Sequence, residues 1–201
     1  MNLLKNFNIS QLQSYLFNDT KFFYLQEVDS TNTYAKNLIS TGAPEGTVVL
    51  SDSQTNGRGQ QNNIWYSPAG KNIYCSIILK PKKSDKELPL LTEITAKAIA
   101  AALHSMYPLD YSIKYPNDIL IHGKKICGIL TEMEYSKNNL HIVLGFGINC
   151  NMVQNDFPEP LKHISTSLKI EMDCEINTAK VLKSVLQFFE KYYNNFNTGS
   201  L

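Results

Sequence analysis

Four apolar segments separated by very short polar breaks dominate the second half of this chain. They cover residues 111–115, 119–122, 125–134 and 140–148. β-Branched and aromatic side chains recur in them, which favours strands, and the breaks at 122–124 and 136–139 fit tight hairpin turns. Strands that follow one another through such short turns pair antiparallel, because parallel pairing needs a long crossover. The sequence therefore predicts a largely antiparallel sheet.

The rest of the chain predicts further strands and the helices that cover the sheet. Predicted strands cover 21–28, 47–50 and 72–79, predicted helices cover 9–17, 31–39, 90–106 and 178–193, and a long loop covers 51–70. Ser30 and Asn177 stand at helix N-cap positions, and Pro108 follows the clearest helix. The predicted class is α+β, a mixed, mostly antiparallel sheet with helices packed on it, in one domain over residues 1–201.

Charge and cysteine content exclude several classes of protein. The 19 basic and 18 acidic residues give no overall field that would recruit nucleic acid, so no nucleic-acid partner is expected and any phosphate binding must be local. The 4 cysteines are scattered singly, which is typical of reduced thiols rather than of a disulfide scaffold. Residues 1–20 lack the apolar run of a signal peptide, and no stretch reaches the ~18 apolar residues of a membrane span. We therefore expect a cytoplasmic protein without a membrane partner.

The predicted loop contains a glycine-rich motif with a single cation. Gly57 and Gly59 flank Arg58 a short way after Gln54, and Trp65 closes the segment. Glycine lets backbone amides approach an anion closely, and an indole can cover a flat ring. The motif therefore indicates a site for phosphate and a base, with a plain surface loop and a core tryptophan as the alternative interpretations.

Two further motifs lie on the predicted hairpins. Asn117 and Asp118 offer the hard oxygen ligands that Mg²⁺ accepts beside nucleotide phosphates, although an Asn-Asp turn is the alternative. Lys125 enters an apolar strand, either as a solvated strand end or as a charge directed into a pocket. Gly128 in the same strand indicates close approach of another backbone or of a ligand.

The next strand gives a similar indication. Gly145 and Gly147 again leave room for a close neighbour, and Asn149 can donate and accept at the edge of a ring, although a hydrogen-bonded core asparagine is the default. The hydroxyls and amide at 30–32 are first of all a helix-cap cluster, but they can also bind a small neutral polar group. The 4 histidines show no metal-ligand spacing, and Cys127 and Cys150 have no base nearby in sequence.

Taken together, these motifs resemble those of the biotin–protein ligases. The matching segments are 28–32, 54–65, 114–118, 125–130 and 145–149, in the family's order and at about its spacing. The resemblance covers residues 22–151 and is specific as a set. It implies the catalytic-domain fold of biotin and lipoate ligases, which is similar to that of class II synthetases. It also implies a two-step reaction, in which biotin and MgATP give biotinyl-5′-AMP and pyrophosphate, and biotin then passes to a lysine of a biotin carboxyl carrier protein.

The same resemblance implies a role for each motif residue. The biotin site would contain Ser30, Thr31, Asn32, Gln54, Arg58, Gly59, Gln60 and Lys125. The ATP and adenylate site would contain Trp65, Lys114, Asn117, Asp118, Gly128, Gly145, Gly147 and Asn149. The catalytic residues would be Lys125, Arg58 and Asp118, with Lys125 neutralising the biotin carboxylate and the α-phosphate. The Mg²⁺ ligands would be Asn117 and Asp118, and the family also implies that a homodimer can form.

The chain departs from the family's pattern in its loop and at its ends. The usual G-R-G-R-x-G-R-x-W has Gln60, Asn62 and Asn63 in place of two arginines and a glycine, so we expect weaker retention of the adenylate. We also expect neither the N-terminal DNA-binding domain nor the C-terminal β-barrel that relatives carry. Two alternatives stay open at this point: a lipoate–protein ligase of the same fold, and a non-catalytic protein that binds biotin or an adenylate.

Overall fold

A seven-stranded sheet forms the centre of the computed structural model, which describes residues 21–83, 87–136 and 139–200. The strands are β1 (Phe22–Val28), β2 (Val48–Gln54), β3 (Ile73–Leu79), β4 (Tyr111–Lys114), β5 (Asp118–Ile121), β6 (Lys124–Ser136) and β7 (Asn139–Ile148). Their order across the sheet is β1-β2-β3-β7-β6-β5-β4. β1 pairs parallel with β2, and the other neighbours pair antiparallel. The predicted mixed, mostly antiparallel sheet is confirmed.

Helices cover both faces of this sheet. They are α1 (Thr31–Ser40), α2 (Pro89–Met106), α3 (Glu159–Lys162), α4 (Leu168–Met172) and α5 (Thr178–Thr198), with 3₁₀ turns at Gln60–Asn62 and Gln154–Asp156. α2 and α5 pack together over one face, where they enclose the main apolar core. α1 covers the opposite face with a smaller cluster that includes Ala35, Ile39 and Val143. β3 is therefore buried along its whole length.

The predicted helix caps are found, with one difference. Asn177 accepts a hydrogen bond from the Lys180 backbone N–H at 3.0 Å and begins α5. Ser30 is the N-cap residue of α1, but its side chain makes no capping hydrogen bond. The short helices α3 and α4 were not predicted, and the helix predicted at 9–17 lies outside the described residues. Among the described helices, none combines the length and the apolar character that crossing a bilayer requires.

The predicted loop at 51–70 begins too early. Ser51 and Ser53 continue β2, where they pair with Leu25 and Glu27 of β1. Both serines are buried, and their hydroxyls are satisfied because Ser51 Oγ donates to the Ser53 carbonyl at 2.6 Å and Ser53 Oγ lies 3.3 Å from the Gln26 carbonyl. Polar residues can therefore extend a strand here. The consequence for function is that Gln54 is the last residue of a strand rather than part of a loop.

The hairpin predicted between β5 and β6 is confirmed. His122 and Gly123 both have positive φ, at 49° and 76°, which is the backbone geometry of a tight turn whose twist matches that of the strands. The turn sets the start of β6 and hence the register of Lys125 and the residues after it.

Candidate active site

A pocket lies where the first turn of α1, the end of β2 and the strands β6 and β7 meet. The loop formed by residues 55–66, called the 55–66 loop below, covers it. The predicted site residues that line this pocket are Ser30, Thr31, Asn32, Gln54, Arg58, Gly59, Gln60, Trp65, Asn117, Lys125, Gly128, Gly145 and Gly147. Segments far apart in sequence therefore come together at one place.

Three predicted residues lie outside this lining. Asp118 is directly behind it, with Oδ1 2.7 Å from Lys125 Nζ. Asn149 is buried and lines an adjoining cavity of about 320 Å³, while its Nδ2 donates to the Thr166 carbonyl at 3.0 Å. Lys114 is exposed at the end of β4, outside both cavities.

Hydrogen bonds fix the polar side chains at the floor of the pocket. The backbone N–H of Thr31 donates to Gln54 Oε1 at 2.9 Å, which joins α1 to β2. Ser76 Oγ of β3 lies 2.6 Å from Asn32 Oδ1 and 2.8 Å from Thr31 Oγ1. A side chain held at several points loses little freedom when a ligand binds, so this floor is preorganised for recognition.

The 55–66 loop folds back on itself as a short ribbon. The Trp65 N–H donates to the Gly57 carbonyl at 2.9 Å, and the Gly59 N–H donates to the Asn63 carbonyl at 2.7 Å. The ribbon is tied to β2 because Gln54 Nε2 donates to Ser67 Oγ, which in turn donates to the Trp65 carbonyl at 2.8 Å. Internal backbone bonds thus hold the ribbon together, and bonds from Thr55 and Asn56 to Val28 and Asp29 join its start to the end of β1.

Trp65 lies flat against two glycines of the sheet. A Cβ atom added at Gly128 would lie 2.8 Å from the indole, and one added at Gly147 would lie under 3.0 Å from three indole atoms. Lys125 Nζ is 5.4 Å from the ring centroid, within range of a cation–π interaction. Trp65 is half-buried, so it is a wall of the pocket and not a core tryptophan. Only glycine at positions 128 and 147 leaves enough space for the Trp65 indole. The sequence motifs alone did not reveal that the close neighbour is this ring.

Gly145 has the same relation to another pocket residue. A Cβ atom there would overlap the side-chain amide of Asn32. The three glycines of β6 and β7 thus leave space that Asn32 of α1 and Trp65 of the loop occupy. These two side chains form part of the pocket wall.

Two buried donors at the pocket have no hydrogen-bond partner among the residues that the structure describes. They are Arg58 Nε and Trp65 Nε1. Buried polar atoms are nearly always paired, and exceptions in native structures occur where a ligand or water binds. Both donors belong to the 55–66 loop, which supports ligand binding beneath that loop.

Sequence analysis missed Glu132 on β6. Its Oε2 accepts hydrogen bonds from Asn32 Nδ2 and Arg58 Nη2, each at 2.8 Å, and its Oε1 accepts from Lys36 Nζ at 2.8 Å. Burial alone would raise the pKa of this carboxyl, but the bonds from Lys36 and Asn32 and the charge of Arg58 lower the pKa overall. The signal in the sequence was the spacing of this charged residue along β6. Glu132 lies two positions after Leu130 and four positions after Gly128, so its side chain is on the same face of the strand as theirs.

The segment that follows β7 is joined to the strand that carries Lys125. The Lys125 N–H donates to the Ile164 carbonyl, and the Thr166 N–H donates to the Lys125 carbonyl. Asn149 adds its backbone bond to Ile126 and its side-chain bond to Thr166. The floor of the second cavity and the lysine therefore belong to one hydrogen-bonded unit.

The thiols and the metal-ligating groups give no further chemistry. All 4 cysteines are free, and burial raises the pKa of the Cys75, Cys127 and Cys150 thiols, so they stay protonated and inert. Within residues 21–83, 87–136 and 139–200, no three histidine, cysteine, aspartate or glutamate side chains group as a metal site. A Mg²⁺ site made wholly by the protein therefore has no support in the described region.

Residues 23–149 match the model of the biotin/lipoate A/B protein ligase family. This chain belongs to that family. The match includes every motif residue at the pocket described above and ends at Asn149. Individual relatives of the biotin/lipoate ligase family give the same result.

The bifunctional ligase/repressor BirA of Bacillus spizizenii is 40% identical over 176 residues, which cover 87% of this chain and 54% of that relative. The chain thus spans about half the length of that relative. The structure of the biotin protein ligase from Aquifex aeolicus in complex with biotin and ATP superposes with a TM-score of 0.79 at 30% identity, covering 90% of this chain and 73% of that one. The Leishmania major ligase in complex with biotinyl-5-AMP, at 21% identity and a TM-score of 0.73, covers 90% and 77% and shows the fold alone.

Proposed function

We propose that this chain carries the catalytic activity of a biotin–protein ligase, which joins biotin to AMP and then transfers it to a lysine of a biotin carboxyl carrier protein. The observation that carries the proposal is the position of Lys125, which lines both cavities and so lies between them. Forming an acyl adenylate brings a carboxylate and a phosphate together. A cation between the two cavities offsets the repulsion of these anions as they approach.

The first cavity favours biotin as the acid. Thr31, Asn32 and Gln54 present fixed hydroxyl and amide groups, which suit the neutral donors and acceptors of a ureido ring. Leu130 and Phe146 provide apolar wall. Lipoate has a dithiolane ring without amide groups, so it offers no donors or acceptors to these fixed polar groups. The proposal therefore prefers biotin to lipoate.

The second cavity is assigned to the nucleotide. Its volume is about 320 Å³, and apolar side chains such as Met152, Phe157 and Leu161 line it beside Trp65. A flat purine suits an apolar cleft with few polar groups at its edge, and the proposal assigns Asn149 to that edge. We keep Lys114 in the nucleotide site as a prediction. Lys114 is exposed outside both cavities, so an ion pair with a phosphate there would be open to solvent and weak.

Magnesium enters this proposal as part of the MgATP substrate. Asp118 is the carboxylate at the site, but its Oδ1 already accepts from Lys125 at 2.7 Å and from Asn117 Nδ2 at 2.9 Å. Mg²⁺ bound to nucleotides commonly keeps most of its ligands from phosphate and water, so one carboxylate beside the phosphates is sufficient. Asp118 also holds the ammonium of Lys125 in place before the substrates bind.

The proposal is tested by pyrophosphate exchange into ATP on this 201-residue chain. We expect exchange that requires biotin and Mg²⁺ and that does not occur with lipoate as the acid. Exchange with lipoate but not biotin would establish the lipoate alternative. Tight biotin binding without any exchange would establish a non-catalytic binding protein and contradict the proposal.

Replacing Gln60 by arginine is expected to slow the release of biotinyl-5′-AMP about fivefold to tenfold. Gln60 lines the pocket, so a guanidinium there adds a charge-assisted hydrogen bond to the phosphate. Release of radiolabelled adenylate after dilution measures the effect. Gln61→Arg is the matched control, because Gln61 lies outside the first pocket and should not change the rate. Equal release rates for Gln60→Arg and the unmodified chain would contradict this placement of the adenylate phosphate.

The acceptor protein, the compartment and the oligomeric state are part of the same proposal. The acceptor is a lysine on a biotin carboxyl carrier protein, the site of action is the cytoplasm, and a homodimer can form. All 4 cysteines are free, which supports a reducing compartment.

A further inference from the structure

Glu132 has no part in the roles assigned so far. With Asn32, Lys36 and Arg58 it forms the Glu132 cluster. One carboxylate joins three segments: α1 through Asn32 and Lys36, β6 through its own backbone, and the 55–66 loop through Arg58. The Glu132 side chain is 19% exposed, so water screens these ion pairs less than it would on an open surface. α1 fixes the carboxylate, and the carboxylate in turn holds the loop.

The first cavity is narrow in this arrangement. Its volume is about 40 Å³, room for only a few water molecules, and Arg58, Gly59 and Gln60 of the loop form part of its wall. A ligand as large as biotin cannot enter that volume. The loop must therefore move away from β6 before the cavity can fill.

Arg58 is the side chain of the loop that is ion-paired to the sheet in the described part of the chain. Its Nη2 lies 2.8 Å from Glu132 Oε2, and its Nε has no partner there. Opening the loop separates this pair, which links the free energy of opening to the strength of the pair.

We propose that Glu132 is a positioning residue that holds the 55–66 loop closed over the first cavity through Arg58. The identity of the ligand rests on the proposed function. The position of the loop and its ion pair with Glu132 are seen in the structure and do not depend on that function. The Arg58–Glu132 pair belongs to the closed position of the loop. Weakening the pair therefore raises the rates of ligand entry and ligand release together, whereas general damage to the fold would not raise the entry rate.

Glu132→Gln is the informative variant because it keeps the size of the side chain. A carboxylate accepts hydrogen bonds at both oxygens, whereas a glutamine accepts at one end and donates at the other. Lys36 donates to one carboxylate oxygen, and Asn32 and Arg58 donate to the other. The NH₂ group of a glutamine would therefore face a donor in either orientation, and one of these hydrogen bonds would be lost. Glu134→Gln is the matched control, since Glu134 lies on the same face of β6 and its contact is a 4.0 Å approach to Lys36.

The first test uses the sequence itself. Arg58 is the only arginine in the chain, so an arginine-specific protease can cut the polypeptide only in this loop. We expect the folded Glu132→Gln variant to be cut about tenfold faster than the unmodified chain, and Glu134→Gln to be cut at the unmodified rate. Glu132→Asp, which keeps the charge but shortens the reach, should fall between them and replaces Glu132→Gln if that variant does not fold.

The second test follows biotin by stopped-flow fluorescence. Trp65 is the single tryptophan and belongs to the same loop, so its emission reports closure directly. We expect Glu132→Gln to raise both the association and the dissociation rates roughly tenfold and to leave the equilibrium affinity within a factor of about three. In an Arg58→Met background, adding Glu132→Gln should change neither rate.

The outcomes separate this inference from the proposed function. Equal cleavage of Glu132→Gln and the unmodified chain overturns the inference, and so does a Glu132→Gln effect that persists in the Arg58→Met background. If the unmodified chain binds no biotin, the proposed function fails, while the cleavage experiment still decides whether Glu132 holds the loop.

Discussion

Replacing Lys125 by alanine is expected to lower biotin-dependent pyrophosphate exchange by about 10³-fold, because the variant loses the cation between the two cavities. Removing one preorganised group that stabilises charge in a transition state typically costs about 10²–10³-fold in rate. Lys125 lines both cavities, so under the proposed function its loss affects the place where the two substrates meet. The measurement is exchange at saturating biotin and ATP, where the loss should appear in kcat rather than only in KM.

The controls for this prediction separate charge from structure. Lys124→Ala removes the neighbouring lysine, which begins β6 outside both cavities, and should keep normal exchange. Lys125→Ala also leaves the Asp118 carboxylate without its 2.7 Å partner, so Lys125→Ala/Asp118→Asn tests whether an unpaired charge causes the loss. The double variant should remain inactive. Exchange in Lys125→Ala above a tenth of the unmodified rate would show that Lys125 does not act on the reacting groups.

Replacing Gly147 by alanine should cost roughly 10²-fold in the same assay. The added methyl group would lie under 3.0 Å from the Trp65 indole, so the ring must leave its place against the sheet. Overpacking of this kind usually costs about 1–3 kcal/mol, and here the cost falls on a wall shared by both cavities. The emission of the single tryptophan should shift to longer wavelength and become easier to quench with acrylamide, because the indole moves towards water.

A Trp65→Ala background supplies the control for Gly147→Ala. Without the indole there is no clash, so Gly147→Ala should add little further loss once Trp65 is removed. Full additivity of the two losses would mean that Gly147 acts through some other neighbour. Unchanged emission and unchanged exchange in Gly147→Ala alone would contradict the packing described above.

The sequence predicted what depends on local patterns. The hairpin at His122 and Gly123 and the cap at Asn177 follow from a few adjacent residues, and both were found in the structure. The extension of β2 through Ser51 and Ser53 was missed because their polarity suggests a loop. What makes those serines compatible with a strand is bonding to a neighbouring strand, which no local pattern contains.

The site was predicted where its residues form motifs and missed where they do not. Thr31, Gln54 and Lys125 lie in recognisable motifs, and the structure brings them to one pocket. Glu132 lies in no motif, and its partners are distant in sequence: 74 positions for Arg58 and 100 for Asn32. A carboxylate whose role consists of such contacts becomes evident only when the fold places its partners around it.

The bonding between residues 164–166 and the start of β6 has a consequence for the selectivity of inhibitors. Main-chain bonds at Ile164 and Thr166 join the strand with Lys125 to the floor of the second cavity, so the position of the Lys125 backbone relative to that floor is fixed. The opposite wall is the 55–66 loop, which side-chain contacts hold. Under the proposed function, compounds altered in their purine portion would therefore meet the more rigid surface, whereas compounds enlarged in their acyl portion would have to displace only the loop.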